Sequence, residues 1–233
     1  MARVAFLHVG PDMTLPGILV RSLREHNPDM RIVQCADRVS PQVSGVDDVL
    51  RIDADAGNLM TFRLQAFAGL AGNEPTLFLD TDMVCARPID PAAELDDCDV
   101  AVCLREYNNA MPLDTRAMGI NLTEYEGRTL GDVYPYLACA VIAKDAAFWT
   151  ACLEDLRRLP AKFHKWFGDQ EAMRNVIKAG GHKVGWLRES IYACLPDMHT
   201  DPSHGPKLFH FKGPLRKQMM IDGARQAGWL DPN

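Results

Sequence analysis

Apolar runs separated by polar, Gly- and Pro-containing turns organise the chain, and they alternate between strand-like and helix-like lengths. Residues 3–9 read as a first strand. Residues 15–26 read as a helix, with Thr14 as a candidate cap and Asn27-Pro28 as its stop, and residues 31–35 as a second strand. Asn58 is placed to cap a helix that runs to Leu70 and stops at Gly72, and strand 76–79 follows directly. Repeated strand, helix, strand is the pattern of a parallel sheet covered by helices.

Residues 100–104 and 137–143 read as further strands, separated by a polar stretch, 105–132, without a clear period. A loop of that length inside a compact domain is usually functional. Residues 145–159 form a predicted helix closed by Pro160, and 169–179 another closed by Gly180-Gly181. Late strands at 183–187 and 207–211 flank a segment, 196–206, rich in Pro, His and Asp. There is no internal repeat, low-complexity tract or linker, so residues 1–233 are expected to form a single α/β domain.

Composition narrows the function classes. A chain of 233 residues, 47% hydrophobic and 24% charged, has ordinary globular composition and can bury one sizeable core. A net charge of −6 without a polybasic run argues against nucleic acid or an anionic membrane surface as partner. The first apolar segment is too short for a signal peptide before His8 and Gly10 interrupt it, and nothing approaches the roughly 20 apolar residues of a membrane span. Seven cysteines, an odd number with no C-x-x-C pair, read as buried thiols of a cytoplasmic protein, with neither a disulfide framework nor a zinc site. The sequon Asn121-Leu122-Thr123 is then accidental.

Chemistry enters at Thr76 to Val84, an apolar run that ends in two acids one residue apart, Asp80 and Asp82. Ligands bind at the C-terminal lip of open α/β sheets, and paired carboxylates there suit a divalent cation holding phosphates. Two other Asp-x-Asp pairs exist. Asp97 and Asp99 lie in an acidic turn; Asp53 and Asp55 follow Val49-Leu50-Arg51-Ile52 and are the main competitor. Any of the three could equally be a solvated turn or a cap.

Three further features sit at informative places. Arg63 lies on the helix before the acidic strand, where its guanidinium could reach phosphates or the acids, or could simply snorkel or pair with Glu74. Asp169-Gln170 opens a helix, and Asp169 also fits an N-cap. His210-Phe211-Lys212-Gly213-Pro214-Leu215-Arg216-Lys217 places a His at a strand end, then a Gly, then cations, although a His between two Phe residues is also an ordinary core histidine. His199 and His204 read as solvated, and Trp149, Trp166 and Trp186 as core packing.

From the first strand to about Lys217 the chain resembles the GT-A-fold retaining glycosyltransferases, the family of bacterial lipopolysaccharide galactosyl- and glucosyltransferases and of glycogenin. The resemblance implies a Rossmann-like, mixed, mainly parallel sheet flanked by helices. It also implies a hexosyltransferase that takes a nucleotide-sugar donor, a UDP-sugar, with manganese or alternatively magnesium, and retains configuration; the acceptor, saccharide, lipid-linked or protein, is left open. By position, Asp80, Asp82 and His210 would be the metal ligands, Arg63 and Arg216 the diphosphate partners with Gly213 between, and Asp169 and Gln170 the catalytic, sugar-facing pair. His8, Val9, Gly10 and Thr81 would lie along the nucleotide. Two carboxylates, an imidazole and phosphate oxygens form a mixed O/N shell that suits manganese better than magnesium.

The chain also departs from the family. Arg216 stands for its usual Lys, the Pro-Trp that often follows is missing, and Ala138-Cys139-Ala140 replaces its Asn-x-Gly. The first strand's end lacks the acids that often contact the base. The acceptor would be shaped by residues 105–132 and 162–167. Two other functions stay open: a haloacid dehalogenase-type phosphatase with Asp80 as nucleophile and Asp82 as acid/base, because Asp80-Thr81-Asp82-Met83-Val84 satisfies its motif, and a non-catalytic nucleotide-sugar binding module.

Overall fold

The computed structural model describes residues 3–53, 57–70, 74–114, 123–164, 167–199 and 205–230. Asp55, Gly72, most of the sequon, Trp166 and His204 lie outside the described residues. In chain order the elements are β1 (Arg3–Leu7), α1 (Thr14–His26), β2 (Arg31–Ala36), β3 (Asp48–Arg51), α2 (Leu59–Ala68), β4 (Thr76–Leu79), β5 (Met83–Cys85), α3 (Pro91–Leu95) and β6 (Val100–Leu104). There follow α4 (Leu130–Val133), β7 (Tyr136–Ala143), α5 (Ala147–Arg158), α6 (Gly168–Ala179), β8 (Val184–Arg188), α7 (Glu189–Tyr192), β9 (Leu208–His210) and α8 (Pro214–Gln226).

A seven-stranded sheet with order β3-β2-β1-β4-β7-β6-β8 forms the centre. Its pairings are parallel except where β7 runs antiparallel to both β4 and β6, so the sheet is mixed and mainly parallel rather than wholly parallel as the strand-helix repeat alone suggests. Period-two alternation sends Val4, Phe6, Leu77 and Leu79 to one face, against Leu19 and Leu23 of α1. Ala5 and Phe78 point to the other, against α2, α5 and α6. On that second face Phe67, Phe78 and Trp149 meet at centroid distances of 4.7–5.1 Å, tilted or edge-on, each such pair contributing about 0.5–1.5 kcal/mol beyond burial.

Several local expectations change on folding. Thr14 is the first helical residue and Met13 precedes it without a side-chain cap; Asp12 instead accepts from the Thr14 amide at 2.9 Å. Asn58 does cap α2, its side chain accepting from the Thr61 amide. The aperiodic stretch 105–132 holds a 3-10 turn at Thr123–Tyr125 and the start of α4, where Thr129 and Asp132 make a reciprocal capping box. Trp149 is core, whereas Trp186 is 51% exposed and stacks on Tyr136 at 5.6 Å. Asp53 pairs with Arg38 in solvent, and Asp97 and Asp99 lie in the turn where Lys183 and Lys144 meet them, so neither Asp53 nor the pair of Asp97 and Asp99 lies with Asp80 and Asp82. No helix among the described residues is long and apolar enough to cross a membrane.

Candidate active site

Chain order reverses between β1 and β4: from β1 the chain proceeds to β2 and β3 on one side, then returns to β4 on the other. Such a switch point opens a crevice at the C-terminal strand ends, which is the general ligand position in α/β sheets. Asp80 follows β4 immediately, its amide donating to Cys139 O of the neighbouring β7 at 3.0 Å. Its carboxylate therefore stands at that crevice.

A second, two-stranded sheet completes the site. β5 pairs antiparallel with β9, and the register sets His210 opposite Met83, the residue after Asp82. The Phe211 amide donates to Asp82 O at 2.8 Å and extends the pairing past the acid. This register brings a histidine from the end of the chain to 3.4 Å, Nε2 to Oδ1, from Asp82. One ligand atom each from Asp80, Asp82 and His210 lie within 4.8 Å of one another. Two carboxylate oxygens and an imidazole nitrogen are a donor set that fits a divalent cation, with room for oxygen ligands from phosphate.

Fixed positive charge surrounds the acids. Arg63 is 9% exposed on α2; its Nη2 lies 2.7 Å from Asp80 Oδ1 and donates to Ala138 O, while Nη1 donates to Asp169 Oδ2 at 3.1 Å. Of the placements open to Arg63, the structure shows the one against the acids, and Glu74 pairs with Arg3 and Arg31 instead. Lys217, in the first turn of α8, places Nζ 3.2 Å from Asp82 Oδ2. Arg216 points away, its guanidinium forked onto Asp197 at 2.7 and 2.8 Å, so of the two neighbours Lys217 faces the acids.

These neighbours split the acids electrostatically. Burial raises the Asp80 carboxyl, with the Asp82 charge adding to it against the pull of Arg63. Burial also opposes ionisation of Asp82, but His210 and Lys217 outweigh it and hold that carboxylate well below the usual range. Burial would lower the His210 imidazole, yet the adjoining Cys139 sulfur and the Asp82 carboxylate raise it well above its ordinary value.

Asp169 is not the cap of its helix. Phe167 holds the N-cap position of α6 with φ 63° and makes no side-chain cap, whereas Asp169 is a helical residue, 3% exposed, whose Oδ1 accepts from the Gln170 amide at 2.8 Å. The distant Arg63 fixes its orientation, which no local pattern encodes. Gln170 Oε1 accepts from Arg105 Nη2 at 3.4 Å.

Two cavities meet at the acids. One, about 380 Å³, extends from Asp80, Asp82 and Lys217 to Asp169 and Gln170, and Met60, Leu137, Ala138 and Phe167 also line it. The other, about 360 Å³, extends from the same acids to Leu7, His8, Val9 and Thr81, with Leu59 and Met60 as walls. Gly213 borders the first cavity at φ 87°, a backbone that suits glycine, and turns the chain from β9 into α8. His8 is 8% exposed, and burial lowers its imidazole. Lys217 was legible beside Arg216 as a cation following the glycine, and Phe167 lies in the stretch 162–167 expected to shape the acceptor, whereas Met60 lines both cavities without any sequence signal.

No protein-family model matches the sequence, and no curated protein does. Among solved structures, the galactosyltransferase LgtC in complex with donor and acceptor sugar analogues aligns with 98% of this chain and 100% of its own, at 13% identity and a TM-score of 0.54. An active-site mutant of LgtC aligns over the same shares at 14% identity and a TM-score of 0.54. The chain thus has the GT-A fold, the fold of the galactosyltransferase LgtC.

Proposed function

We propose that the protein is a metal-dependent glycosyltransferase that moves a hexose from a nucleotide diphosphate sugar, a UDP-sugar, to an acceptor with retention of configuration. One observation carries this reading: two cavities of similar size, about 380 and 360 Å³, join at Asp80, Asp82 and Lys217. A nucleotide sugar has the same plan, two ring systems joined by a diphosphate. The β1-side cavity then takes the nucleoside along His8, Val9 and Thr81, while Gly10 follows Val9 without lining it. The cavity beside Asp169 and Gln170 takes the sugar, where a buried carboxylate and an amide can hydrogen-bond hydroxyls.

Asp80, Asp82 and His210 would hold the ion, and the mixed oxygen and nitrogen donors favour manganese, with magnesium as the alternative. When bound, such an ion supplies Lewis-acid stabilisation of the departing diphosphate. Arg63 holds the Asp80 and Asp169 carboxylates in place before ligand arrives, so little reorganisation is needed. Lys217 brings a positive charge to the phosphate position, and Gly213 lets the backbone approach closely. Arg216, tied to Asp197, contributes to this field only at a distance.

Asp169 is the remaining carboxylate among the described residues lining the sugar-side cavity, and Arg63 and the Gln170 amide both engage it. That commitment supports same-face attack assisted by the leaving diphosphate over a covalent sugar intermediate. A phosphatase would need Asp80 as a free nucleophile, but Arg63 Nη2 sits 2.7 Å from its Oδ1. All seven cysteines are free thiols, which supports a reducing compartment such as the cytoplasm.

Calorimetric titration with UDP in manganese buffer tests the reading. Saturable binding in the wild type that disappears in Asp82→Asn and in His210→Ala is the expected result, and unchanged affinity in either variant refutes the metal assignment. Incubation with UDP-sugars then separates the functions. Slow sugar hydrolysis with UDP release supports transfer, release of inorganic phosphate a phosphatase, and binding without turnover a binding module.

A further inference from the structure

The cavity that would hold the sugar has two kinds of lining: Asp169 and Gln170 are polar, while Met60, Leu137, Ala138 and Phe167 are apolar. Phe167 is in an unfavourable conformation. Among the described residues, three non-glycine positions have positive φ: Asp96, Asn108 and Phe167. Short polar Asp and Asn adopt this region readily, because their side chains bond locally; a bulky aromatic residue does not.

Several contacts hold Phe167 there. Its ring stacks on Tyr134 with centroids 4.6 Å apart and planes 11° from parallel. Tyr134 is itself 1% exposed, so the platform cannot easily shift. The next residue is Gly168, where a Cβ would collide with the Phe163 carbonyl oxygen, so the turn closes tightly behind the ring. Backbone strain over-determined by its surroundings, at the wall of a ligand cavity, points to a role in binding.

A sugar hydroxyl turned toward this wall would leave water without gaining a partner, whereas a methyl group would gain from the same burial. Of the polar lining, Gln170 turns its side-chain oxygen to Arg105 and leaves the amide nitrogen to donate. A group with both a methyl and a carbonyl matches both kinds of lining at once. We propose that this cavity selects a nucleotide-linked 2-acetamido sugar, with its methyl packed against Phe167, Leu137 and Ala138 and its carbonyl accepting from Gln170. Phe167 is then a specificity-determining residue, and the inference rests on the nucleotide-sugar reading above.

Calorimetry on the full chain in manganese buffer tests it, using UDP, UDP-glucose, UDP-galactose and the 2-acetamido counterparts of both sugars. The expected result is that the acetamido sugar of at least one epimeric pair binds about tenfold more tightly than its parent, the discrimination typical of a small apolar group in a fitted pocket. UDP that binds with no acetamido preference in either pair overturns the inference alone. UDP that fails to bind overturns the nucleotide-sugar reading and the inference with it. Phe167→Gly, which adopts the left-handed backbone without strain, is expected to bring the acetamido-to-parent affinity ratio to within about twofold of unity. A ratio unchanged from wild type in that variant overturns the role of Phe167, since a purely structural residue would alter thermal stability and leave the ratio alone.

Discussion

Replacement of Arg63 by Met tests whether a single buried guanidinium organises the acidic centre. Met keeps most of the side-chain volume and removes the charge. Arg63 and Asp169 have 10% and 5% of their side chains exposed, so this pair is buried, while Asp80, at 32%, keeps some water. Removing one partner of a buried pair costs about 3–5 kcal/mol, because the remaining charge is left uncompensated. Here two carboxylates and the Ala138 carbonyl lose their donor together. For a chain of this size each kcal/mol lowers the melting temperature by about 2–4 °C, so a fall of roughly 6–20 °C is expected by scanning calorimetry at neutral pH. Arg63→Lys, which keeps the charge and loses the fork, should fall less. In an Asp169→Asn background the cost of Arg63→Met should shrink by at least about 0.5 kcal/mol, the coupling expected of groups in one network. A fall below about 2 °C, or costs that simply add, would refute the assignment of Arg63 as the organising charge.

Three further outcomes follow from local geometry. Gly168→Ala, whose new methyl would run into the Phe163 carbonyl, is expected to lose about 1–3 kcal/mol or more in urea unfolding. Glu189→Ala removes the carboxylate that accepts from the Glu106 and Tyr107 amides at 2.6 and 2.7 Å and should cost about 1–3 kcal/mol, with Glu189→Gln, which keeps an acceptor, costing less; equal losses would argue against the amide contacts. Burial would raise Asp47, but the Ile32 amide and Arg24 outweigh it and lower it from 3.8, so ionised Asp47 stabilises the fold above about pH 4. That contribution is lost as pH falls through its lower folded value. Melting curves of wild type and Asp47→Asn should therefore differ at pH 7 and draw together as the pH falls below the ordinary carboxylate range.

Strands whose neighbours are apolar on both faces were legible as continuous apolar runs: 76–79 and 100–104 match β4 and β6 residue for residue. Helix ends marked by local chemistry were legible too, at Asn58 and Gly180. β9 falls within the strand read at 207–211, whereas β5, only three residues long, was not legible, and the pairing of the two depends on a partner far along the chain. α8 was missed, because Leu215 and Met219 lie exposed on it and blur the apolar stripe on which a helix reading depends. The reversal of β7 leaves no trace in an apolar run that reads the same in either direction.

The site divides in the same way. Asp80, Asp82, His210, Gly213, Asp169 and Gln170 drew notice in the sequence because each falls at a strand end or helix start, and the family resemblance grouped them into one candidate site. Whether Arg63 meets acid or phosphate, which of Arg216 and Lys217 turns inward, and which apolar residues wall the cavity were decided by the tertiary structure. Side-chain direction at those positions depends on charges and surfaces brought from other elements. The Asp197 carboxylate draws Arg216 outward, Asp82 draws Lys217 inward, and the buried Tyr134 ring holds Phe167 against its backbone preference.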